Sequence, residues 1–466
     1  MIRLRAAMIA IILTSFTGAH ASDHALAARP PNIVLILVDD LGYGELGCQG
    51  NRQIPTPHID SIAAAGVRFT QGYVTAPFCN PSRAGLLTGR YQTRFGHELN
   101  AVGAQNLLPE VGLPVSQKTI ATRLKLAGYV NALIGKWHLG ATAAYHPRKR
   151  GFDEFFGFLH EGHTYAPHHF PGLVSHLRVK EPPYDQDNPL LRGDQPTVEP
   201  ANLSTAFARE GVAFIERNKE RPFFLYLPFN AVHSPMQASP AYFDRFRHID
   251  DIHRRVFAAM LVELDDAVGT VLAKLRELKL DEQTLVFFIS DNGGPVAELT
   301  SQNTPLRGGK GQLFEGGIRV PFLVQWKGKL PAGKVYEQPV ISLDATATML
   351  AAAGVPAPAD ADGVDLIPYI TGTRAGSPHD VLFWRYGPKI ALRKGNMKLV
   401  RNPERGAGSG FELFDLGKDI GETTDLAEKM PEVVEKMKAE LEKLDAGMVP
   451  PAWTPARKPT DLRSTR

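Results

Sequence analysis

The stretch IVLILVDD, residues 33–40, decides the fold. Its six aliphatic residues in succession indicate a strand buried on both faces, because a strand with one solvated face would alternate apolar and polar residues. The run ends in Asp39 and Asp40, and the glycines that follow at 42 and 44 are typical of a loop. The sequence therefore predicts a central strand of a parallel sheet with two acidic residues at its carboxyl end.

Further apolar runs repeat this arrangement, and each precedes polar or ionisable residues: 129–134 before GKWH (135–138), 223–227 before NAVH (230–233), and 285–289 before SDNGG (290–294). Another short apolar run lies at 320–324. Helical patterns lie between the runs, at 59–65, 119–127, 205–218 and 254–278. Strands that alternate with helices predict an α/β fold, with a mostly parallel mixed sheet sandwiched by helices. Because ligands bind at the carboxyl ends of such strands, we expect the functional residues at that edge.

The pattern changes towards the C-terminus. Short segments separated by turns predict a small antiparallel sheet at 381–386, 390–393, 397–400 and 411–414. A helix follows over 431–444, and a Pro-rich tail begins at Val449. We therefore divide the chain into a larger N-terminal domain at 22–375, which contains the functional residues expected at the strand ends, and a smaller C-terminal α+β subdomain at 376–466.

Composition excludes several classes of protein. The chain has 466 residues, 43% of them hydrophobic and 22% charged, as in soluble globular proteins. The 52 basic residues nearly balance the 49 acidic ones, which argues against a strongly basic nucleic-acid binder. Cys48 and Cys79, the two cysteines, are too few for a disulfide scaffold or a Cys-based zinc site.

The N-terminus has the pattern of a secretory signal peptide at residues 1–21. Arg3 and Arg5 precede an apolar run, and Ala19-His20-Ala21 resembles a cleavage site. The alternative is an N-terminal anchor. We expect a periplasmic or secreted protein with no stable membrane insertion after cleavage.

Asp39, Asp40, Asp291 and Asn292 follow two predicted strands and are candidates for a metal site. Adjacent acids beside a buried strand are costly unless a cation neutralises them, and oxygen ligands favour Ca²⁺ or Mg²⁺. The alternative is an acidic loop with Asx turns.

The sequence CNPSRAGLLTGR, residues 79–90, contains a second candidate site. Pro81 fits the first turn of a helix, so Cys79 would lie at a helix N-terminus, which favours anions. Arg83 adds a guanidinium fork suited to a tetrahedral oxyanion. The alternative is a buried free cysteine that only packs.

Together the motifs resemble those of the formylglycine-dependent type I sulfatases of the alkaline phosphatase superfamily, in particular the arylsulfatase and N-acetylgalactosamine-6-sulfatase branch. The resemblance covers nearly all of the predicted mature chain. The motifs, in the family's order, are PNI through DD at 31–40, CxPSR followed by AxLLTGR at 79–90, GKWHLG at 135–140, DNGG at 291–294, and RGGK through EGGIRVP at 307–321.

The resemblance implies that Cys79 is oxidised to formylglycine (3-oxoalanine) by a formylglycine-generating enzyme or an anaerobic sulfatase maturase. The hydrated aldehyde would attack sulfur, displace the substrate alcohol and then release sulfate. A metal ion, usually Ca²⁺ in this family with Mg²⁺ as the alternative, would act as Lewis acid and template. Its implied ligands are Asp39, Asp40, Asp291, Asn292 and the modified Cys79.

The same resemblance gives roles to five basic side chains. Arg83 would orient the hydrated aldehyde, and Lys136 and Lys310 would neutralise charge on the sulfate and on the departing oxygen. His233 would protonate the leaving group together with Lys310, and His138 would assist sulfate release as a base. The alternative for His233 is a structural loop histidine.

The substrate is expected to be a sulfated sugar or an aryl sulfate, but its identity depends on loops rather than on the shared motifs. Candidate substrate-binding residues are His97, His163 and His168, together with Lys136 and Lys310. A second, His-rich metal site is the alternative for the histidines. The segment 384–386 could border the pocket or could pack in the core.

Two other functions stay open at this point. A phosphodiesterase or phosphonate monoester hydrolase could share the nucleophile and metal motifs on the same fold. A non-catalytic protein that binds sulfated glycans would result if Cys79 stayed unmodified. A Cys48–Cys79 disulfide would likewise abolish the mechanism.

Overall fold

A computed structural model describes residues 29–167, 169–176, 184–403 and 410–454. The predicted signal peptide at 1–21, His168 and the tail from residue 455 lie outside the described residues.

The strands of the described residues include the predicted ones, along with short strands that the sequence patterns did not indicate. In chain order they are β1 (Asn32–Val38), β2 (Val67–Phe69), β3 (Gly72–Tyr73), β4 (Val130–Lys136), β5 (Glu154–Phe158), β6 (Val174–Ser175), β7 (Leu191–Arg192), β8 (Gln195–Pro196), β9 (Phe223–Pro228), β10 (Gln237–Ala238), β11 (Thr284–Ser290), β12 (Phe322–Gln325), β13 (Lys334–Tyr336), β14 (Val340–Ile341), β15 (Val381–Tyr386), β16 (Lys389–Lys394), β17 (Met397–Arg401) and β18 (Glu412–Asp415).

The helices of the described residues are α1 (Pro57–Ala64), α2 (Cys79–Thr88), α3 (Ile120–Leu126), α4 (Leu203–Asn218), α5 (Pro240–Phe243), α6 (Ile252–Glu277), α7 (Val296–Leu299), α8 (Glu315–Ile318), α9 (Ser342–Ala352), α10 (Ile367–Thr371) and α11 (Pro431–Asp445). The two longest of these helices, α4 and α6, each begin after a polar capping residue. The side chain of Asn202 accepts a hydrogen bond from the Ser204 amide at the start of α4, and Asp251 accepts from two amides at the start of α6.

The main sheet is mostly parallel and mixed, as the sequence predicts. Within the described residues its ten strands run in the order β13-β2-β12-β11-β1-β9-β4-β5-β7-β8. β1 pairs in parallel with both β11 and β9, and Leu35 lies opposite Phe287 on one side and Tyr226 on the other. β12 is antiparallel to β11, which gives the sheet its mixed character.

Helices cover both faces of this sheet, which explains the continuous aliphatic run of β1. Val34, Ile36 and Val38 pack in a cluster with α4 and α6 on one face. The alternate residues of β1 pack in a second cluster with α2, α3 and α9 on the other face. Burying each aliphatic side chain contributes about 1.5–3 kcal/mol, so this strand anchors both layers.

The smaller C-terminal sheet is also confirmed. β15, β16, β17 and β18 form a four-stranded antiparallel sheet within the described residues, and α11 packs against it. Trp384 of β15 is fully buried, and its indole Nε1 donates to the Val74 carbonyl at 2.7 Å. Trp384 therefore packs in a core cluster that the C-terminal sheet shares with β3, β14 and α8. The predicted domain boundary at residues 375 and 376 falls between α10 and β15 and stays a prediction.

Among the described residues, no helix combines the length and the apolar character that crossing a membrane requires.

Candidate active site

The carboxyl ends of β1 and β11 place the predicted acidic residues side by side. The parallel register sets Val38 opposite Ser290, so Asp39 and Asp291 leave adjacent strands at the same level. The Asp40 amide donates to Oδ1 of Asp291 at 3.3 Å, and Asn292 Nδ2 donates to Oδ1 of Asp40 at 2.7 Å. The two strand ends thus form one acidic cluster.

The segment after β9 joins the same edge through main-chain hydrogen bonds. The Asp39 amide donates to the Ala231 carbonyl at 2.9 Å, and the Val232 amide donates to the Asp39 carbonyl at 2.7 Å. Asp40 has a φ of 63°, a left-handed conformation that Asp tolerates better than most residues. These bonds bring the loop that carries His233 to the acidic cluster.

Arg83 and Lys136 lie beneath the cluster and are fully buried. The Arg83 guanidinium contacts Oδ2 of Asp291 through Nε at 2.9 Å and through Nη2 at 2.7 Å, and its Nη2 lies 3.3 Å from Asp39. The Lys136 ammonium group contacts Oδ2 of Asp39. Burial alone would raise the pKa of Asp39, but the charges of Lys136, His233 and Arg83 outweigh burial and hold it well below its usual range.

Cys79 is the first residue of α2, and its side chain is buried. A ligand atom of Cys79 lies within 4.8 Å of ligand atoms of Asp39 and His233. Burial raises the pKa of the Cys79 thiol to about 12, so the unmodified side chain is an un-ionised thiol at neutral pH. An un-ionised thiol is a poor nucleophile. Both cysteines are free, which argues against the disulfide alternative.

Lys310 and His233 lie against Asp40 of the acidic cluster. The Lys310 ammonium group lies 2.8 Å from both carboxylate oxygens of Asp40. Burial disfavours its charge, but Asp40 outweighs that cost and raises the pKa of Lys310 well above its ordinary value. His233 Nε2 lies 3.7 Å from Oδ2 of Asp40. Its Nδ1 lies 2.7 Å from the Ser234 carbonyl, which assigns the proton of the neutral ring to Nδ1.

His138 follows β4 and is fully buried. Its Nε2 lies 2.8 Å from the Ala101 carbonyl, so Nε2 carries the proton of the neutral ring and Nδ1 carries a lone pair. Burial and the charge of Lys136 hold the pKa of His138 well below its ordinary value. The ring is therefore neutral, and its lone pair lies on Nδ1.

The acidic cluster has the composition of a hard-cation site. Carboxylate oxygens of Asp39, Asp40 and Asp291 lie within 4.8 Å of one another. Within the described part of the chain, Oδ1 of Asp39 and Oδ1 of Asn292 are buried without a hydrogen-bond partner. Buried acceptors of this kind are costly unless a donor or a cation satisfies them. Burial and the charge of Asp39 also raise the pKa of Asp291 to about 7, a repulsion that a cation would relieve. The residues thus fit Ca²⁺ or Mg²⁺.

The structure brings most of the predicted site residues together at this edge of the sheet. They are Asp39, Asp40, Cys79, Arg83, Lys136, His138, His233, Asp291, Asn292 and Lys310.

His97 and His163 contact residues outside this group. His97 is fully buried, and its ring packs edge-on to Trp453 at 4.7 Å. His163 packs on Phe158 at 5.2 Å, and its Nδ1 lies 2.9 Å from the Thr164 carbonyl. The substrate-binding roles of His97, His163 and His168 stay predictions, and His168 lies outside the described residues.

Sequence reasoning missed the polar contacts that support the start of α2. Asn80 Nδ2 donates to the His138 carbonyl at 2.7 Å, and the Asn80 amide donates to Oδ1 of Asn100 at 3.1 Å. The carbonyl of Ala101, the residue after Asn100, accepts a hydrogen bond from His138 Nε2. Only the Asn80 side chain lies within a recognisable motif, so Asn100 gives no signal in the sequence.

Comparisons with known proteins agree with this geometry. The sequence model of the Sulfatase family matches residues 31–355, and that of the N-sulphoglucosamine sulphohydrolase C-terminal region matches 309–447. N-acetylgalactosamine-6-sulfatase of Canis lupus familiaris is 36% identical over 391 residues, covering 80% of this chain and 72% of the relative. Arylsulfatase A of Homo sapiens is 35% identical over 460 residues, covering 88% and 87%.

A solved structure is also similar over nearly its whole length. The crystal structure of Ps i-CgsB in complex with k-i-k-neocarrahexaose superimposes with a TM-score of 0.83 at 34% identity, covering 93% of this chain and 96% of that one. The family match spans well over half of the chain, and the relatives are matched over more than two thirds of their length. The chain therefore belongs to the sulfatase family and is a sulfuric ester hydrolase.

Proposed function

We propose that this protein is an exported sulfatase that removes sulfate from a sulfated carbohydrate, using a formylglycine made from Cys79 and a bound Ca²⁺. One observation carries the proposal. Cys79, an un-ionised buried thiol, begins α2 within 4.8 Å of Asp39 and His233, beside a cluster of carboxylates that fits a cation. A thiol in this state contributes little as a nucleophile, whereas an aldehyde at the same position, once hydrated, would offer a hydroxyl as the nucleophile.

The carbohydrate substrate is supported by the relatives rather than by the catalytic cluster. The name of the canine relative specifies a sulfated N-acetylgalactosamine, and the similar crystal structure holds a neocarrahexaose. Both are similar to this chain at 34–36% identity over most of its length. We therefore place a sulfated sugar ahead of an aryl sulfate as the natural substrate.

When bound, Ca²⁺ would polarise a sulfate oxygen and formylglycine would supply the nucleophile for sulfur. The chain's own residues set the charge of the site. Asp39, Asp40 and Asp291 balance the three cations Arg83, Lys136 and Lys310. A divalent cation would add two positive charges to this balanced set, which would attract an anionic sulfate ester.

The two lysines are placed to neutralise that ester. Lys136 and Lys310 contact Asp39 and Asp40, so both ammonium groups lie at the carboxylate cluster. A fixed cation in a buried site stabilises developing negative charge more strongly than it would in water. Arg83, one turn after Cys79 in α2, is fixed by its bonds to Asp291 and to the Lys136 carbonyl, and it would orient the modified side chain.

The two histidines move protons. His233 presents Nε2 towards Asp40, and its protonated form can donate to the departing alcohol oxygen together with Lys310. His138, with its lone pair on Nδ1, can accept a proton during sulfate release.

The location outside the cytoplasm, in the periplasm or the medium, rests on the N-terminal sequence pattern alone. N-terminal sequencing of protein from the native host should begin at Ser22.

Mass spectrometry of the Cys79 peptide, without prior alkylation, tests the modification. Conversion of the thiol to an aldehyde lowers the peptide mass by about 18 Da, since CH₂SH becomes CHO. A plain thiol in protein from the native host would contradict the catalytic proposal and favour a glycan-binding protein.

Turnover measurements with the converted enzyme test the reaction. We expect hydrolysis of p-nitrophenyl sulfate and of at least one sulfated sugar, and far slower turnover of matched phosphate and phosphonate esters. Faster turnover of the phosphorus esters would favour the phosphodiesterase or phosphonate monoester hydrolase alternative.

A further inference from the structure

An aromatic pair borders the candidate active site. Phe78 directly precedes Cys79, and its ring lies 4.8 Å from the Tyr386 ring at an interplanar angle of 35°. Both side chains are partly exposed. Tyr386 comes from the C-terminal sheet, so the pair joins that sheet to the residue that precedes α2, beside the nucleophile position.

The loop that carries Lys310 packs against the same pair. The Gly311 amide donates to the Pro77 carbonyl at 2.9 Å, and a side chain at Gly311 would meet the Phe78 ring at 3.0 Å. Lys310 directly precedes Gly311, which lies against the Phe78 ring, and Cys79 directly follows Phe78. The aromatic pair therefore lies close to both Cys79 and Lys310.

The turn between β15 and β16 is held from both sides. Glu98 is buried and contacts Arg385 at 2.7 Å and the Gly387 amide at 2.8 Å. Lys389 donates to the Gly311 carbonyl at 2.5 Å. The Tyr386 hydroxyl accepts from the Asn100 amide at 3.4 Å. Tyr386 is consequently fixed before any substrate binds, which reduces the entropy lost on binding.

We propose that Phe78 and Tyr386 form an aromatic platform that binds the sugar ring carrying the scissile sulfate. The platform rests on the proposed function. A pyranose presents apolar C–H groups on its ring face and hydroxyls at its edge, and a rigid aromatic surface beside polar groups matches both. Tyr386 is then a residue that determines specificity, and Glu98 is a positioning residue that acts through the turn.

Trp384, two residues earlier in β15, shows the contrasting case. It is fully buried, and its indole N–H is bonded to the Val74 carbonyl, so it only packs. Tyr386 differs because it is partly exposed, at the end of its strand, next to the residue that precedes Cys79.

Steady-state kinetics of Tyr386→Leu and Tyr386→Phe test the platform in full-length mature enzyme, with rates corrected for the converted fraction of Cys79. Leu keeps much of the side-chain volume without an aromatic face, and Phe keeps the face without the hydroxyl. The matched control is Tyr242→Leu, at a partly buried tyrosine of α5 outside the site. The probes are sulfated N-acetylgalactosamine and carrageenan oligosaccharides, with inorganic sulfate as a competitive inhibitor.

Tyr386→Leu should raise KM for the best sulfated sugar about tenfold and leave kcat within about threefold. Inhibition by inorganic sulfate, which reaches only the sulfate pocket, should change less than about twofold. Tyr386→Phe and Tyr242→Leu should stay within about threefold of the wild type for the sugar.

An unchanged KM in Tyr386→Leu would overturn the platform while leaving the proposed function intact. The platform would also be overturned if Tyr386→Leu weakened inhibition by inorganic sulfate as much as it raised KM for the sugar. Equal losses would indicate general damage to the site. A wild-type enzyme that hydrolyses aryl sulfates but none of the sugars would overturn the platform together with the carbohydrate assignment.

Discussion

Arg83 contacts the Oδ2 atom of Asp291 through Nε at 2.9 Å and Nη2 at 2.7 Å, and neither side chain is exposed to solvent. The pair joins the first turns of α2 to the end of β11, so it couples the position of the nucleophile to the acidic cluster. A charge pair without solvent is stable only while both partners remain.

Asp291→Asn should therefore reduce both stability and activity. Asn keeps the shape of the side chain but removes the charge that Arg83 contacts. In the cation-loaded enzyme, where the repulsion between Asp291 and Asp39 is relieved, breaking such a buried pair costs about 3–5 kcal/mol. We expect kcat to fall at least about 100-fold, because the change also removes a candidate metal ligand. Urea denaturation and kcat per converted Cys79 measure the two effects. An activity within about threefold of the wild type would exclude an essential role for this carboxylate.

Calcium removal gives a readout that does not depend on activity. We expect the apo protein, prepared with a chelator, to melt at a higher temperature when Ca²⁺ is added. A ligand at 100 times its Kd stabilises the folded state by about 2.7 kcal/mol. The increase should be lost in Asp291→Asn. Differential scanning calorimetry with Ca²⁺ and with Mg²⁺ also decides which ion binds more tightly.

The control for calcium binding is Asp266→Asn. Asp266, Asp265 and His58 form another group whose ligand atoms lie within 4.8 Å of one another. The Asp265 oxygens already accept the amides of His58 and Ile59 at 3.1 and 2.7 Å, so we assign this group to the start of α1. Asp266→Asn should keep the full calcium effect. If Asp266→Asn lost the rise in melting temperature with Ca²⁺, the cation would bind at Asp266 and our assignment of the calcium site would be wrong.

His233→Gln should affect substrates according to their leaving group. A sugar alcohol needs a proton as it departs, whereas p-nitrophenolate leaves without one. We expect kcat to fall about 100- to 1,000-fold for a sulfated sugar and less than about tenfold for p-nitrophenyl sulfate. His248→Gln, at an exposed histidine, serves as the control. Equal losses for the two substrates would assign His233 a role other than proton donation.

Much of this architecture follows from the sequence because burial leaves a strong pattern. The aliphatic run of β1 is buried throughout, and its polar successors Asp39 and Asp40 had to lie at the strand end. β5 was missed, since the residues EFFGF at 154–158 show neither a long aliphatic run nor clear alternation. α9 was missed because it is buried on nearly every side and therefore lacks an amphipathic stripe.

The supporting contacts around the site were not predicted, because they join segments that are distant in the sequence. Glu98 and Arg385 are 287 residues apart in the sequence. Asn100 and Asn80 are separated by 20 residues, and neither contact belongs to a local periodic pattern. Motifs and strand ends predicted the catalytic cluster, whereas its surroundings depend on contacts that the C-terminal sheet makes with distant loops.

The His379–Asp344 pair should make stability depend on pH. His379 Nε2 lies 2.8 and 2.9 Å from the two oxygens of buried Asp344, just before β15. Burial lowers the pKa of His379, but the charge of Asp344 outweighs burial and raises it above the ordinary value of 6.5. The stabilisation is therefore complete below about pH 6.5 and is lost as pH rises through the folded-state pKa.

His379→Gln removes the titrating group, so comparison with the wild type isolates its contribution. The quantity compared is the free energy of unfolding of the wild type minus that of the variant. This difference should be about 1–2 kcal/mol larger at pH 6 than at pH 9, as expected for a charged hydrogen bond. Urea denaturation at both pH values, at constant Ca²⁺, measures the difference. His248→Gln, at an exposed histidine, is measured in parallel as the control. A difference that is equal at both pH values would mean that His379 contributes through packing, since a neutral imidazole and an imidazolium would then stabilise the folded state equally.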